Sequence, residues 1–252
     1  MDFYLFLLPL LGLLSGICSS YLGVGGSLFI VPLLPVLVGF SPIESLQISL
    51  SMIFVMSFIN TASFYYQKLI LWNWVYPIIL TGLGFSFLSS FLIQFTTAGR
   101  IRFVLWLFLT FMLFLPFLLK KLLWLCKKQG VYIFGSLMGL CVGCTGLGGG
   151  FILSPYLHES SQIPSKNVSA VVCCSMFGTS FFALLGQIRS GFLWNQGNLF
   201  WWKCYLLLLI PSIVGLFLGY ALNKKDKNSK RRSKLLRFLI SLIFLKVSLE
   251  FF

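Results

Sequence analysis

Two glycine-rich stretches of the chain could bind an anion through their backbone. The first runs from Gly23 to Pro32 with the sequence GVGGSLFIVP, and the second from Gly143 to Pro155 with the sequence GCTGLGGGFILSP. Each lies inside a long apolar segment, where glycine disfavours a continuous helix. A helix that begins after such a break directs free N–H groups and its positive dipole end towards the gap. Small anions bind at such helix ends without a charged side chain.

The two stretches are copies of one pattern. An offset of 123 residues aligns Gly12–Leu34 with Gly135–Leu157 without a gap, and nine of the 23 positions are identical. Later in each half, a Ser-Met pair and a Leu-Trp-Asn triplet recur at nearly the same offset. Glycines in membrane helices also serve close helix packing alone, which is the simpler interpretation of one copy. The duplication favours a binding site at the interface between two repeats.

The candidate substrate-binding residues are the glycine stretches and the polar side chains of the apolar runs that follow them. Hydroxyl and amide groups can hydrogen-bond an oxyanion without the desolvation cost of a charge. The alternative is that these side chains bond carbonyls of their own helix or join neighbouring helices. The candidates are Gly23, Gly25, Gly26, Ser27, Ser51, Asn60, Thr61, Gly146, Gly148, Gly149, Gly150, Cys173, Cys174, Ser175 and Thr179.

Ionisable side chains near the apolar runs are few. Glu44, His158 and Glu159 are candidates for proton coupling, because a carboxylate or imidazole can carry a proton across a membrane site. The alternative is that they are solvated at the membrane interface. One histidine and five acidic residues provide no metal-ligand set and no catalytic triad, so we expect neither a metal, nor another cofactor, nor an enzyme.

The composition indicates an integral membrane protein. Hydrophobic residues make up 58% of the 252 residues and charged residues 10%, and the mean hydropathy is +0.96. A soluble protein of this size needs more polar surface. The seven cysteines are an odd number within mostly apolar sequence and do not suggest a disulfide framework. The N-terminus lacks a basic signal-peptide region, so we expect the first apolar run to be retained.

The net charge of +14 comes mainly from two basic loops. Residues 120–128 and 224–237 together hold 12 of the 19 Lys and Arg residues and flank apolar runs. Such loops are typical of the cytoplasmic side of a membrane protein. No aromatic or glycine-rich recognition pattern accompanies them, so we do not expect nucleic-acid binding.

The predicted fold is an all-α polytopic membrane protein with two inverted-topology repeats. If both basic loops are cytoplasmic, segment 131–157 must cross the membrane an even number of times, so it enters and returns on one side. Each unit then contains one hairpin and three full spans. Because three is an odd number of crossings, the second repeat is inverted relative to the first. The first repeat is predicted over 1–128, with broken segment 3–38 and spans 44–66, 74–95 and 103–119; the second is predicted over 129–252, with broken segment 131–157 and spans 167–187, 200–222 and 235–252.

Each glycine stretch is followed by a proline-containing loop, a span with Ser, Thr or Cys, and a Trp-Asn turn. In these features the chain resembles the sulfite exporter TauE/SafE family of membrane permeases over nearly its whole length. The most specific parts are Gly143–Pro155 and Gly191–Asn195, whereas Ser27 and the pair Cys173-Cys174 differ from the residues common in that family. The resemblance implies a bacterial inner-membrane transporter of sulfite, organosulfonates and related small anions, commonly an exporter.

We therefore expect a secondary transporter with alternating access around a site between two glycine-broken hairpins. Its partners would be the lipid bilayer and a small anionic substrate, with protons as the candidate coupling ion. One alternative is a channel-like facilitative pore for a small solute. The other is a membrane scaffold or assembly factor that transports nothing.

Overall fold

The computed structural model describes residues 2–22, 25–97, 99–101, 103–108, 110–111, 130–160, 163–189, 199–225, 238 and 241. Within these ranges the protein is helical apart from turns and caps, and no strand occurs. The fold is that of an all-α polytopic membrane protein. Its helices are α1 (Asp2–Leu22), α2 (Ser27–Val38), α3 (Pro42–Tyr66), α4 (Trp72–Leu92), α5 (Gly130–Thr145), α6 (Gly150–Ser160), α7 (Ser165–Arg189) and α8 (Leu199–Lys225), with a 3₁₀ turn at Ile93–Phe95.

Four helices are long and apolar enough to cross a membrane. They are α3, α4, and the parts of α7 and α8 over Asn167–Arg189 and Phe200–Leu222. All four lie over segments for which the sequence predicts spans. In the predicted span 103–119 the described residues 103–108, 110 and 111 are helical. The predicted span 235–252 lies outside the described residues except for Phe238 and Ser241.

Both glycine stretches interrupt a helix, as their composition predicts. The first break separates α1 from α2, and the second separates α5 from α6. Gly25, Gly146 and Gly148 have φ angles of 81°, 61° and 62°, in the left-handed region that side chains other than glycine disfavour. Gly23 lies outside the described residues. The breaks are therefore sharp turns, which we call the first turn (25–26) and the second turn (146–149).

Helix α6 runs back along α5. The rings of Tyr156 and Phe134 stack with centroids 4.2 Å apart, and Gly149 lies against Met138. Positions further along α6 thus meet positions earlier in α5, which makes the two helices antiparallel. The second broken segment is a hairpin in this structure.

Helices α4, α5 and α7 point in one direction. Along α4, contacts advance in step with both neighbours: Ile78, Gly82 and Ser86 meet Gly135, Gly139 and Gly143 of α5, while Ile79, Gly82 and Phe87 meet Gly178, Thr179 and Gly186 of α7. Because α5 and α7 are parallel, the chain between them must return, and α6 supplies that return.

Helices α1, α3 and α8 point the opposite way. Phe54 of α3 contacts Phe181 of α7 while Phe58 contacts Phe177, so α3 is antiparallel to α7. Helix α8 follows α3, since the ring of Phe200 at its start lies 5.9 Å from that of Phe40 just before α3, and Tyr220 donates to the side-chain oxygen of Gln67 at the end of α3. Helix α1 follows α8, with Gly12 and Gly16 against Leu208 and Ser212. Gly26 lies against Ser15, so the chain has turned back along α1 where α2 begins. The hairpin helices α1 and α5 consequently enter from opposite ends of the bundle.

Glycine permits the closest helix contacts. A β-carbon at Gly16 would overlap the Ser212 carbonyl, and one at Gly139 would overlap the Gly82 carbonyl. In lipid there is no hydrophobic force between helices, so close van der Waals approach through small residues holds them together. The α1/α8 and α4/α5 interfaces use the same device.

We predict that Gly139→Ala destabilises the fold, because its methyl group has no room against the Gly82 backbone. Overpacking of this kind lowers the free energy of unfolding by about 1–3 kcal/mol. Gly84→Ala is the matched control on α4, since no atom lies within 4 Å of its β-carbon position. Thermal unfolding in detergent measures both variants, and equal melting temperatures for them would contradict the packing argument.

Candidate functional site

The two glycine turns meet inside the protein. A β-carbon at Gly25 would lie 3.6 Å from both the Cα and the carbonyl oxygen of Gly148. Gly25, Gly26 and all residues from Gly146 to Gly150 are buried. The absence of side chains therefore lets the backbones of the two hairpins approach each other closely.

Ser27 brings a hydroxyl group to this meeting point. It is the first residue of α2, is 0% exposed, and its Oγ lies 3.2 Å from the β-carbon position of Gly148. This Oγ has no hydrogen-bond partner among the described residues. A buried hydroxyl without a partner costs free energy, so its presence here needs an explanation beyond packing.

The N-terminus of α2 lies at the same meeting point of the two turns and has no side-chain cap. Its N-cap residue is Gly26. The first four N–H groups of a helix lack partners within it, and the helix dipole gives this end a partial positive charge. Neither glycine-rich stretch contains a charged residue. The turn region thus offers hydrogen-bond donors and a positive potential, which suits a small anion.

Hydrogen bonds from neighbouring residues stabilise the second turn. Ser49 of α3 donates a hydrogen bond of 2.7 Å to the Gly146 carbonyl, and Thr145 accepts one from the Leu147 N–H at 3.3 Å. These bonds satisfy backbone groups that the turn releases from the helix. The second turn is therefore fixed by the protein.

Comparison with known proteins places the chain in a family of membrane proteins. The profile that describes sulfite exporter TauE/SafE matches residues 8–249. The chain belongs to this family. It is similar to a protein of Methanocaldococcus jannaschii described as a probable membrane transporter, with 26% identity over 247 residues, which covers 88% of each chain. No solved structure matches the chain.

Family membership makes this TauE/SafE protein a multi-pass membrane transporter of a small molecule. An enzyme activity is no part of that description. Among the described residues, no group of three His, Cys, Asp or Glu side chains is placed to hold a metal ion. The site must therefore be understood from its neutral polar groups and backbone.

The polar candidates of the transporter divide into two groups. Ser51 and Thr179 donate to carbonyls of their own helices, and Asn60 of α3 accepts from Ser20 of α1 at 3.0 Å. These three side chains already serve the helices. Thr61 Oγ1 and Ser175 Oγ, like that of Ser27, are buried without a hydrogen-bond partner among the described residues.

The thiol candidates lie in the core of the protein. Cys173 and Cys174 are 3% and 4% exposed and belong to the largest cluster of buried apolar side chains, which joins α2 to α7. They pack there as small apolar groups. The structure does not place them among the atoms nearest to the turn glycines.

The candidates for proton coupling are distant from the turns in sequence. Glu44 forms a capping box with Ser41 at the start of α3, accepting from the Ser41 N–H at 2.7 Å and from its hydroxyl at 2.8 Å. His158 is exposed near the end of α6, and Glu159 follows it in the same helix. A structural role thus accounts for Glu44, and proton coupling through any of the three stays a prediction.

Sequence reasoning missed Met176. Its terminal methyl group is the nearest atom to the β-carbon positions of both Gly25 and Gly148, at 2.9 Å for the latter. Ile53 also reaches Gly148, at 3.3 Å. The repeated Ser-Met pair was a signal in the sequence, but apolar residues of a membrane span do not reveal which of them faces a turn.

We predict that removal of the Ser49 hydroxyl and removal of the Ser27 hydroxyl change the stability of the protein differently. Ser49→Ala leaves the buried Gly146 carbonyl without its donor and lowers the free energy of unfolding by about 1–3 kcal/mol. Ser27→Ala removes a buried group without a partner and leaves stability unchanged or raises it. Thermal unfolding in detergent without added anions tests the pair. A loss of stability in Ser27→Ala as large as in Ser49→Ala would show that Ser27 is a structural residue.

Proposed function

We propose that this protein is a secondary transporter that exports a small oxyanion, such as sulfite or an organosulfonate, and binds it between the two glycine turns. The observation that carries the proposal is the Ser27 hydroxyl, which is completely buried beside Gly148 and lacks a partner among the described residues. The sulfite exporter family supports the choice of substrate class.

Neutral donors suit an oxyanion in a dry site. A hydroxyl or amide donor to a charged acceptor contributes about 1.5–3 kcal/mol, while a buried counter-charge would carry its own desolvation cost. Ser27 and the uncapped N-terminus of α2 supply such donors. Ser175 is a further candidate, because its buried hydroxyl has no hydrogen-bond partner among the described residues.

The helix directions support two inverted-topology repeats over 1–128 and 129–252. Each repeat begins with a helix that packs along the fourth helix of the other half, as α1 does on α8 and α5 on α4. Helices α3 and α7 are antiparallel, which matches an inversion. A site at the interface of inverted repeats can open to either side of the membrane in turn.

The helix directions are consistent with an orientation in which loops 120–128 and 224–237 lie in the cytoplasm, and the bacterial inner membrane is what the family resemblance implies. The Tyr220 hydroxyl donates to Gln67 at 2.7 Å, which brings Lys68 and the basic end of α8 to one face. Arg189 ends α7, which runs antiparallel to α3, so it lies at the other face. The positive-inside rule assigns the face with more Lys and Arg to the cytoplasm.

Anion binding tests the site. We expect sulfite to raise the melting temperature of the purified protein and Ser27→Ala to weaken sulfite binding by about 10- to 100-fold, the loss of one hydrogen bond to a charged group. Isothermal titration calorimetry measures the affinity. Ser86→Ala is the control, because the Ser86 hydroxyl bonds Leu83 of its own helix. The absence of binding by sulfite, thiosulfate and sulfonates would contradict the proposed substrate class, and equal affinities of the two variants would contradict the site.

Labelling of single cysteines tests the orientation. In a chain whose native cysteines are replaced, we expect Arg189→Cys to react with a membrane-impermeant maleimide on intact cells. Tyr66→Cys, at an 84% exposed position at the end of α3, should react only after the membrane is permeabilised. Labelling of both positions from one side would rule out the inverted arrangement.

A further inference from the structure

The methyl group of Met176 fills the space between the two turns. It is the atom closest to the β-carbon positions of Gly25 and Gly148, which belong to different hairpins. The Ser27 Oγ faces the same point at Gly148, only 3.2 Å from it. An anion that binds the Ser27 hydroxyl from between the turns therefore meets this methyl group.

The corresponding methionine of the first half is placed differently. Met52 is 0% exposed and belongs to a second apolar cluster with Ile30, Ile48 and Trp201. It is not among the nearest atoms to the glycines of either turn. The two halves thus differ at equivalent positions of the repeated Ser-Met pair, although the equivalent glycines Gly25 and Gly148 both have a positive φ.

The surroundings of α7 explain why Met176 reaches the turns. Helix α7 lies tightly along α4: a β-carbon at Gly186 would lie 2.7 Å from the Phe87 carbonyl, and Ser90 donates to the Ala183 carbonyl at 2.7 Å. Helix α8 meets α3 through the Tyr220 hydroxyl and through an apolar cluster in which Met52 lies with Trp201. The backbone of α7 is thus held in place, while the unbranched side chain of Met176 keeps three rotatable bonds.

We propose that Met176 is the gate and size filter of the anion site. Its terminal methyl closes the space between the turns and swings away when an anion reaches Ser27, so the space that it vacates limits the size of the substrate. This inference rests on the proposed function, because it assigns a regulator to that same site. Binding must work against the burial of the methyl group, which weakens the apparent affinity for every anion and most for bulky ones.

Two variants of Met176 and one control test the gate. Met176→Ala removes the atoms that reach the turns, and Met176→Leu keeps most of the apolar volume but lacks the terminal methyl. Leu for Met is among the best tolerated core exchanges, so it keeps the test valid if the alanine variant does not fold. Met52→Ala is the matched control from the other half.

Isothermal titration with sulfite and with benzenesulfonate provides the readout. We expect both Met176 variants to bind sulfite about three- to tenfold more tightly than wild type, the equivalent of about one buried methyl group. The preference for sulfite over benzenesulfonate should fall at least about tenfold in Met176→Ala. Met52→Ala should keep the wild-type preference. A structural role of Met176 would lower stability without changing the ratio of the two affinities.

The outcomes separate the gate from the site. If wild type binds sulfite and Ser27→Ala weakens binding, but the Met176 variants match wild type in affinity and preference, the gate is overturned and the site stands. An equal shift in Met52→Ala also overturns the gate, because Met52 is not among the atoms nearest to the turn glycines. If wild type binds no anion, both proposals fail.

Discussion

The need to satisfy backbone groups where a helix stops inside the protein governs this structure. A backbone N–H or carbonyl that leaves a helix away from water must find a partner in the protein or line a polar cavity. The Gly146 carbonyl finds the Ser49 hydroxyl, and the Leu147 N–H finds Thr145. The start of α2 has no side-chain cap, and the Ser27 hydroxyl beside it has no partner among the described residues. The same constraint that fixes one turn therefore leaves donors at the other.

Close helix packing holds the two turns together. Gly16 on Ser212 and Gly139 on Gly82 bring each hairpin helix onto the backbone of a helix from the other half. Side chains at these positions would separate the helices and withdraw the hairpins from the centre. The glycines of the helices and those of the turns thus have different tasks, packing in the first case and backbone exposure in the second.

The proposed site is electrically neutral in its side chains, which suits the small anion that we propose as its substrate. A fixed positive charge would bind an anion tightly and oppose its release, whereas dipoles and hydroxyls bind it with moderate strength. Glu44 forms a capping box at the start of α3. In the proposed site, the Ser27 hydroxyl and the uncapped start of α2 are the groups that remain to bind the anion.

The sequence by itself determined the membrane class, the family resemblance, the two helix breaks and the residues that form them. These features depend on composition and local preference: apolar runs of sufficient length, and glycines that disfavour a helix wherever they stand. Only the tertiary structure decided which polar candidates lack a hydrogen-bond partner among the described residues. Asn60 is engaged because α1 brings Ser20 to it, whereas Ser27 is without a partner because the second turn offers it a glycine. It likewise decided that Met176, and not Met52, lies on both turns, since that depends on how closely α7 and α3 each approach the hairpins. Both halves carry the Ser-Met pair, and only the packing around it makes the two methionines different.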